Sequence, residues 1–108
     1  MRLAIPCEGN QVCEQFGRAP QFMFIDADLA AGRIEKEETL AVPSYEPSHL
    51  PQWVAAQGAD VVLAIGMGSH AIEGFSRQGV DVVIGVMLRD PRQAAEDYLG
   101  GMLAVGAT

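Results

Sequence analysis

The run Gly66-Met67-Gly68-Ser69-His70 follows an apolar strand pattern and opens a helical one. Its glycines can bring backbone N–H groups up to a ligand at the positive end of a helix dipole, which suits an anion. The same residues serve equally as a plain turn with Ser69 capping the helix. The run is neither a Walker loop nor a full G-x-G-x-x-G, because Ala71 stands in the sixth position.

A second group occupies the stretch from Cys7 to Arg18. Thiolates are good soft-metal ligands, and Cys7 and Cys13 are the chain's 2 cysteines. Their spacing is neither a dense disulfide framework nor the C-x-x-C of redox and zinc sites, so reduced thiols are expected. Arg18 can bind an anion or stay solvated. His49 and His70 each fall near a predicted helix start, where a neutral imidazole can cap, face solvent or ligate a metal. Together Cys7, Cys13, His49 and His70 form a candidate soft-metal set; Met67 and Met87 accompany it but equally suit packing.

Hydrolytic chemistry has no positive support, since G-x-S-x-G, H-E-x-x-H and metal-fixing carboxylate pairs are all missing from the sequence. A nucleophile built from Cys7 or Cys13 with His70 stays open, because such pairs meet in space rather than in chain order.

These residues need a scaffold. With 108 residues and 49% hydrophobic content the chain can close one core, so residues 1–108 are expected to form a single domain. The net charge of −7 has the wrong sign for non-specific nucleic-acid binding, although local N–H groups and arginines can still hold an anion. The sequence enters the strand pattern Leu3-Ala4-Ile5 at once, so no signal peptide is expected, and apolar runs such as Val61 to Ile65 are far shorter than the roughly 20 residues that span a bilayer. A soluble, cytoplasmic protein is expected, with no membrane partner.

The pattern predicts a strand over Arg2–Pro6, a long loop from Cys7 to Pro20, and a buried strand over Gln21–Ala27. A turn at Asp28–Gly32 leads into an edge strand over Arg33–Val42. A helix follows, with Ser48 as N-cap, a buried stripe of Leu50, Trp53 and Val54, and Gly58 past its end. Then come a strand over Asp60–Ile65, a helix over Ala71–Gln78 and a strand over Val80–Val86, which is a βαβ signature. The last helix starts at Asp90-Pro91-Arg92-Gln93, an N-cap, a proline and a reciprocal Gln, and Gly100-Gly101 ends it. The order β-β-β-α-β-α-β-α predicts an α/β fold: a five-stranded mixed sheet with an antiparallel edge and helices on both faces. Strand-end loops then place the Cys7–Arg18 stretch and the Gly66 turn at one sheet edge.

Several segments carry a family pattern: Leu3-Ala4-Ile5-Pro6, Phe16-Gly17-Arg18-Ala19-Pro20 leading into Phe22, Glu46-Pro47 with Leu50-Pro51, Gly58 to Val62, and Gly66-Met67-Gly68 with Ala71 and Phe75. With Gly79-Val80 and Ala94 to Leu99, they cover nearly the whole chain. They resemble the dinitrogenase iron-molybdenum cofactor biosynthesis family, which includes cluster carriers and orange-protein-like domains; F-G-R-A-P is the most specific phrase. The resemblance implies a ribonuclease-H-like three-layer α/β/α fold and non-covalent holding of a metal-sulfur cluster, of molybdenum with iron or copper, without catalysis. With the two loops facing one crevice at that edge, the expected cofactor-binding residues are Cys13, Phe16, Gly17, Arg18, Gly66, Met67, Gly68, Ser69 and His70. Many relatives have S-E-H-F-G-R and G-H-E-P where this chain has Cys13-Glu14-Gln15-Phe16 and Ser44-Tyr45-Glu46-Pro47, so two frequent histidines are replaced. Either Cys13, His49 or His70 substitutes as ligand, or hydrogen bonds and apolar contacts hold the cluster alone. The competing expectation is a regulatory or scaffold domain that meets a cofactor-assembly protein or an ATPase without a cluster.

Overall fold

A computed structural model of the chain describes residues 1–43, 49–87, 89–101 and 103. Strand β1 (Arg2–Glu8) lies at the centre, and its residues Leu3 to Cys7 are buried. On one side it pairs antiparallel with β3 (Gln21–Asp28), from Arg2↔Asp26 to Cys7↔Gln21. On the other it pairs parallel with β5 (Val61–Ala64), through Leu3↔Val61 and Ala4↔Val62. The antiparallel strand β4 (Arg33–Ala41) forms one edge beside β3, and the parallel strand β6 (Asp81–Ile84) forms the other beside β5. The order β4-β3-β1-β5-β6 is thus the predicted mixed sheet with an antiparallel edge.

Side chains alternate across this sheet, as a two-residue repeat requires. Ala4, Phe22, Phe24, Val62 and Ala64 face one layer, where Leu50 and Val54 of α1 (Leu50–Ala56) and Phe75 of α2 (Ser69–Arg77) complete the core. Leu3, Ile5, Ile25, Val61 and Leu63 face the other, covered by Ala94 and Ala95 of α3 (Pro91–Leu99). The result is three α/β/α layers with two helices on one face and one on the other. Trp53 is half-buried and meets Phe22 and Phe24 edge-on, each at 5.9 Å between ring centres.

Several boundaries differ from the expectation. The stretch 7–20 is largely structured: β1 runs on through Cys7 and Glu8, and the short β2 (Gln11–Val12) folds back on it, giving a sheet of six strands. A 3₁₀ turn at Phe16–Arg18 follows. Helix α2 begins at Ser69, two residues early, and Gly68 is its N-cap, so Ser69 lies inside the helix and caps nothing. Asp90 does cap α3, its Oδ1 accepting from Arg92 N at 3.0 Å and Gln93 N at 3.3 Å. The Gln93 side chain donates to Asp97 at 2.8 Å instead of reaching back, so the reciprocal bond is not made. The proposed cap Ser48 and the Glu46-Pro47 match lie outside the described residues. Among the described residues no helix is long and apolar enough to cross a membrane.

Candidate functional site

Because β1 and β5 are parallel neighbours, the chain leaves both at the same sheet edge, the place where open α/β sheets present their loops. Here the two loops are not merely near each other. Gln15 and Gly66 form an isolated parallel bridge, and Phe16 N donates to Gly66 O at 3.2 Å. A Cβ on Gly66 would stand 3.1 Å from the Glu14 carbonyl oxygen, so this glycine is what lets the loops close on one another. The Phe16 ring is buried and meets Phe22 at 5.5 Å and Phe75 at 5.3 Å, both edge-on, which pins the 3₁₀ turn to the core. Gly17 and Arg18 are thereby held at the rim, half-buried and exposed respectively.

The turn after β5 supplies the electropositive component. Gly68 has extended backbone (φ −74°, ψ 161°) as N-cap of α2, and among the described residues no side chain caps that helix. Its first-turn N–H groups, at Ser69, His70 and Ala71, therefore lack a side-chain acceptor, and with the helix dipole they favour an anion. Gly68, His70 and Ala71 from this turn line a cleft of about 610 Å³, together with Gly17, Pro51 and Arg77. The cleft wall exists because α1 and α2 pack closely: a Cβ on Gly74 would come within 2.9 Å of the Pro51 ring. A smaller hollow of about 350 Å³ adjoins, lined by residues 14–17 and 66–68. Met67 is half-buried and packs against the core, so its role here is packing.

A third cavity, of about 550 Å³, lies beside β2 and is lined by Cys13, Glu14, Arg18 and Arg89 among others. Arg89 and Glu14 form an ion pair at 2.6 Å across it. Arg18 has no ion-pair or hydrogen-bond partner for its side chain among the described residues.

The candidate metal set does not assemble. Among the described residues no three of His, Cys, Asp and Glu are grouped to hold a metal ion. Both cysteines are free and buried, but Cys7 belongs to the core layer under α3 and Cys13 to the layer under α1 and α2. Burial pushes the Cys7 thiol up to about 11, so it stays protonated and is a poor ligand near neutrality. Its Sγ donates to Ile5 O, and that of Cys13 to Gln15 O, each at 3.3 Å. His70 is exposed on the cleft rim, whereas His49, exposed just before α1, is not part of its lining. What the edge does collect is Cys13, Phe16, Gly17, Arg18, Gly66, Met67, Gly68, Ser69 and His70, with Glu14 and Arg89 added.

The sequence did not point to Glu14, Arg89 or the Gly74–Pro51 contact. The pairs come together over separations such as 75 residues, which no local pattern encodes. A donor set of helix N–H groups and an arginine fits a preformed anionic cluster held from outside. It does not fit a bare metal ion, which needs converging ligands.

The family model for the dinitrogenase iron-molybdenum cofactor matches residues 1–101. Among curated proteins, none matches the sequence. Among solved structures, the crystal structure of the protein PH0822 superposes with a TM-score of 0.90 at 34% identity, covering 97% of this chain and 94% of that one. The apo form of the orange protein from Desulfovibrio gigas gives 0.78 at 27% identity, over 98% of this chain and 92% of its own. A Methanocaldococcus jannaschii protein gives 0.78 at 11% identity, covering 100% of this chain and 96% of that one, which shows a shared fold.

Proposed function

This chain belongs to the dinitrogenase iron-molybdenum cofactor family, and from that premise we propose that it binds and carries an anionic metal-sulfur cluster without transforming it. The cluster would be a preformed sulfide of molybdenum with iron or copper, handled during cofactor assembly in the cytoplasm. The three-layer architecture would be ribonuclease-H-like in shape only: among the described residues no three of His, Cys, Asp and Glu are grouped as a metal-dependent nuclease would need.

The observation that supports this most strongly is the start of α2, with Gly68, His70 and Ala71 bordering the 610 Å³ cleft beside Gly17 and no cap bond at Gly68. In this reading the N–H groups of Ser69, His70 and Ala71 point donors at sulfur or oxo groups, and Arg18 adds a charge-assisted bond from the facing loop. Phe16 and Met67 supply the apolar floor under Gly17, Gly66 and Gly68. Cys13 and His70 are optional soft ligands, and Cys7 and His49 take no part. Delivery to an assembly protein or an ATPase would use the same edge, because that is where the cargo is exposed.

The test is anaerobic incubation of the purified protein with tetrathiomolybdate and copper, and separately with an iron-sulfur source, followed by desalting. Retained visible absorption at a fixed stoichiometry, reduced in Arg18→Ala, is the expected result. Protein that leaves the column colourless under every condition contradicts the carrier function and leaves the scaffold role.

A further inference from the structure

The carrier reading accounts for Arg18 and the start of α2, but not for the ion pair beside them. Arg89 Nη2 lies 2.6 Å from Glu14 Oε1, and the two side chains remain 52% and 66% exposed. Arg89 is fixed relative to the site loop by its own backbone, whose carbonyl accepts from Val12 N at 2.7 Å. Arg18 and Arg89 line one cavity of about 550 Å³, so two guanidinium groups share a concave surface. Glu14 lines that cavity and also the 350 Å³ hollow that contains Gly66 and Gly68. Glu8 also lines the 550 Å³ cavity, so its two guanidinium groups face two carboxylates; Glu14 is the one that reaches the junction with the second hollow, and it already holds one of the cations.

We infer that Glu14 is a resident counter-ion which an incoming polyanion displaces, and that Arg89 is the second cation that then grips the cargo. The inference rests on the carrier reading and deepens it, by naming a binding residue and a built-in competitor within the same site. An exposed Arg–carboxylate pair is a weak interaction in water, so exchanging Glu14 for a ligand of higher charge is favourable. Arg89 can make two parallel donor contacts to sulfido or oxo groups as readily as to a carboxylate. Holding Arg89 against Glu14 when no cargo is present keeps the guanidinium ordered and discourages weak monoanions such as chloride, which cannot outbid a carboxylate at 2.6 Å. Loading then depends on ligand charge, and release is assisted by the return of Glu14 to Arg89.

The experiment titrates the intact protein with tetrathiomolybdate, a dianionic sulfide probe, under anaerobic conditions at low salt. Wild type is compared with Glu14→Gln, Arg89→Ala and Arg18→Ala, with thermal melts to establish that each variant is folded. Removing one like charge at this range should tighten binding of a dianion by about threefold to tenfold in Glu14→Gln, with the gain shrinking as salt is raised. Arg89→Ala should weaken it by a similar factor, and the Arg89 side-chain N–H resonance should move on titration of wild type. Saturable wild-type binding with Glu14→Gln unchanged or weaker, or with Arg89→Ala unaffected, overturns the counter-ion role while leaving the carrier reading intact. Absence of saturable wild-type binding overturns both.

Discussion

Replacing Gly68 by serine should make the protein more stable and a worse binder at the same time. Gly68 already has the extended backbone that an N-cap serine adopts, and a Cβ there would meet nothing within 4 Å. The new hydroxyl can therefore accept from a first-turn N–H of α2, which no side chain among the described residues does at present. Exchanging an N-cap glycine for serine contributes a few tenths of a kcal/mol, and restricting the unfolded chain contributes about 0.4–1 kcal/mol more. The sum is about 1 kcal/mol, which for a domain near this size raises Tm by about 4–8 °C. The same hydroxyl takes one of the donors that the anion would use. Losing one hydrogen bond to a charged partner costs about 1.5 kcal/mol, or roughly tenfold in Kd. Differential scanning calorimetry and an anaerobic tetrathiomolybdate titration on one preparation measure both effects. A higher Tm with unchanged affinity would show that the start of α2 is not used for binding. A lower Tm would show that the cap geometry itself is wrong.

Three further outcomes follow from the packing. Gly66→Val should destabilise the protein by about 1–3 kcal/mol because its Cβ would press on the Glu14 carbonyl at 3.1 Å, whereas Gly68→Val has open space; paired denaturant melts should rank Gly66→Val as the worse of the two. Cys7 is a folded-state thiol with its pKa raised by burial from 9.0 to about 11, so its contribution to stability is complete below pH 9 and is lost as pH rises toward 11. Urea midpoints from pH 8 to 11 should fall over that window in wild type and fall less in Cys7→Ala. Arg2 ties the far end of the sheet together, pairing with Asp26 at 3.0 Å and with Glu38 while stacking over the Phe24 ring. Arg2→Met should cost about 1–2 kcal/mol in a chemical melt, less than for a fully buried pair because the carboxylates reach solvent, and should leave cluster affinity unchanged.

Much of the scaffold was legible because its signals are local. Alternating or continuous apolar runs located β3, β4, β5 and β6 to within two residues at either end. The Asp90-Pro91 pair marked the start of α3 because both its cap and its proline act within one turn. The stretch 7–20 read as a loop because its order comes from distant partners: Phe16 N bonds to Gly66 O, Val12 N to Arg89 O, and the Phe16 ring to Phe75. The Gly68-Ser69 step misled for a different reason, since a serine one residue inside a helix and a serine at its cap look alike in sequence, and only backbone angles separate them. Residues of the candidate edge can be proposed from the sequence by type, yet the sequence could not show that Cys7 and Cys13 face opposite layers. That depends on the register of β1 with β2, where Cys7 pairs with Val12.

The most direct test of a cluster held at the carboxyl edge is to map amide resonances of ¹⁵N-labelled protein during anaerobic titration with tetrathiomolybdate and copper. The account predicts that the shifts concentrate at Gln15 to Arg18 and Gly66 to Ala71, with the β4 strand Arg33–Ala41 silent and the spectrum saturating as the visible bands do. Perturbations centred on β4, or colour that develops without any change at Gly66 to Ala71, would contradict it.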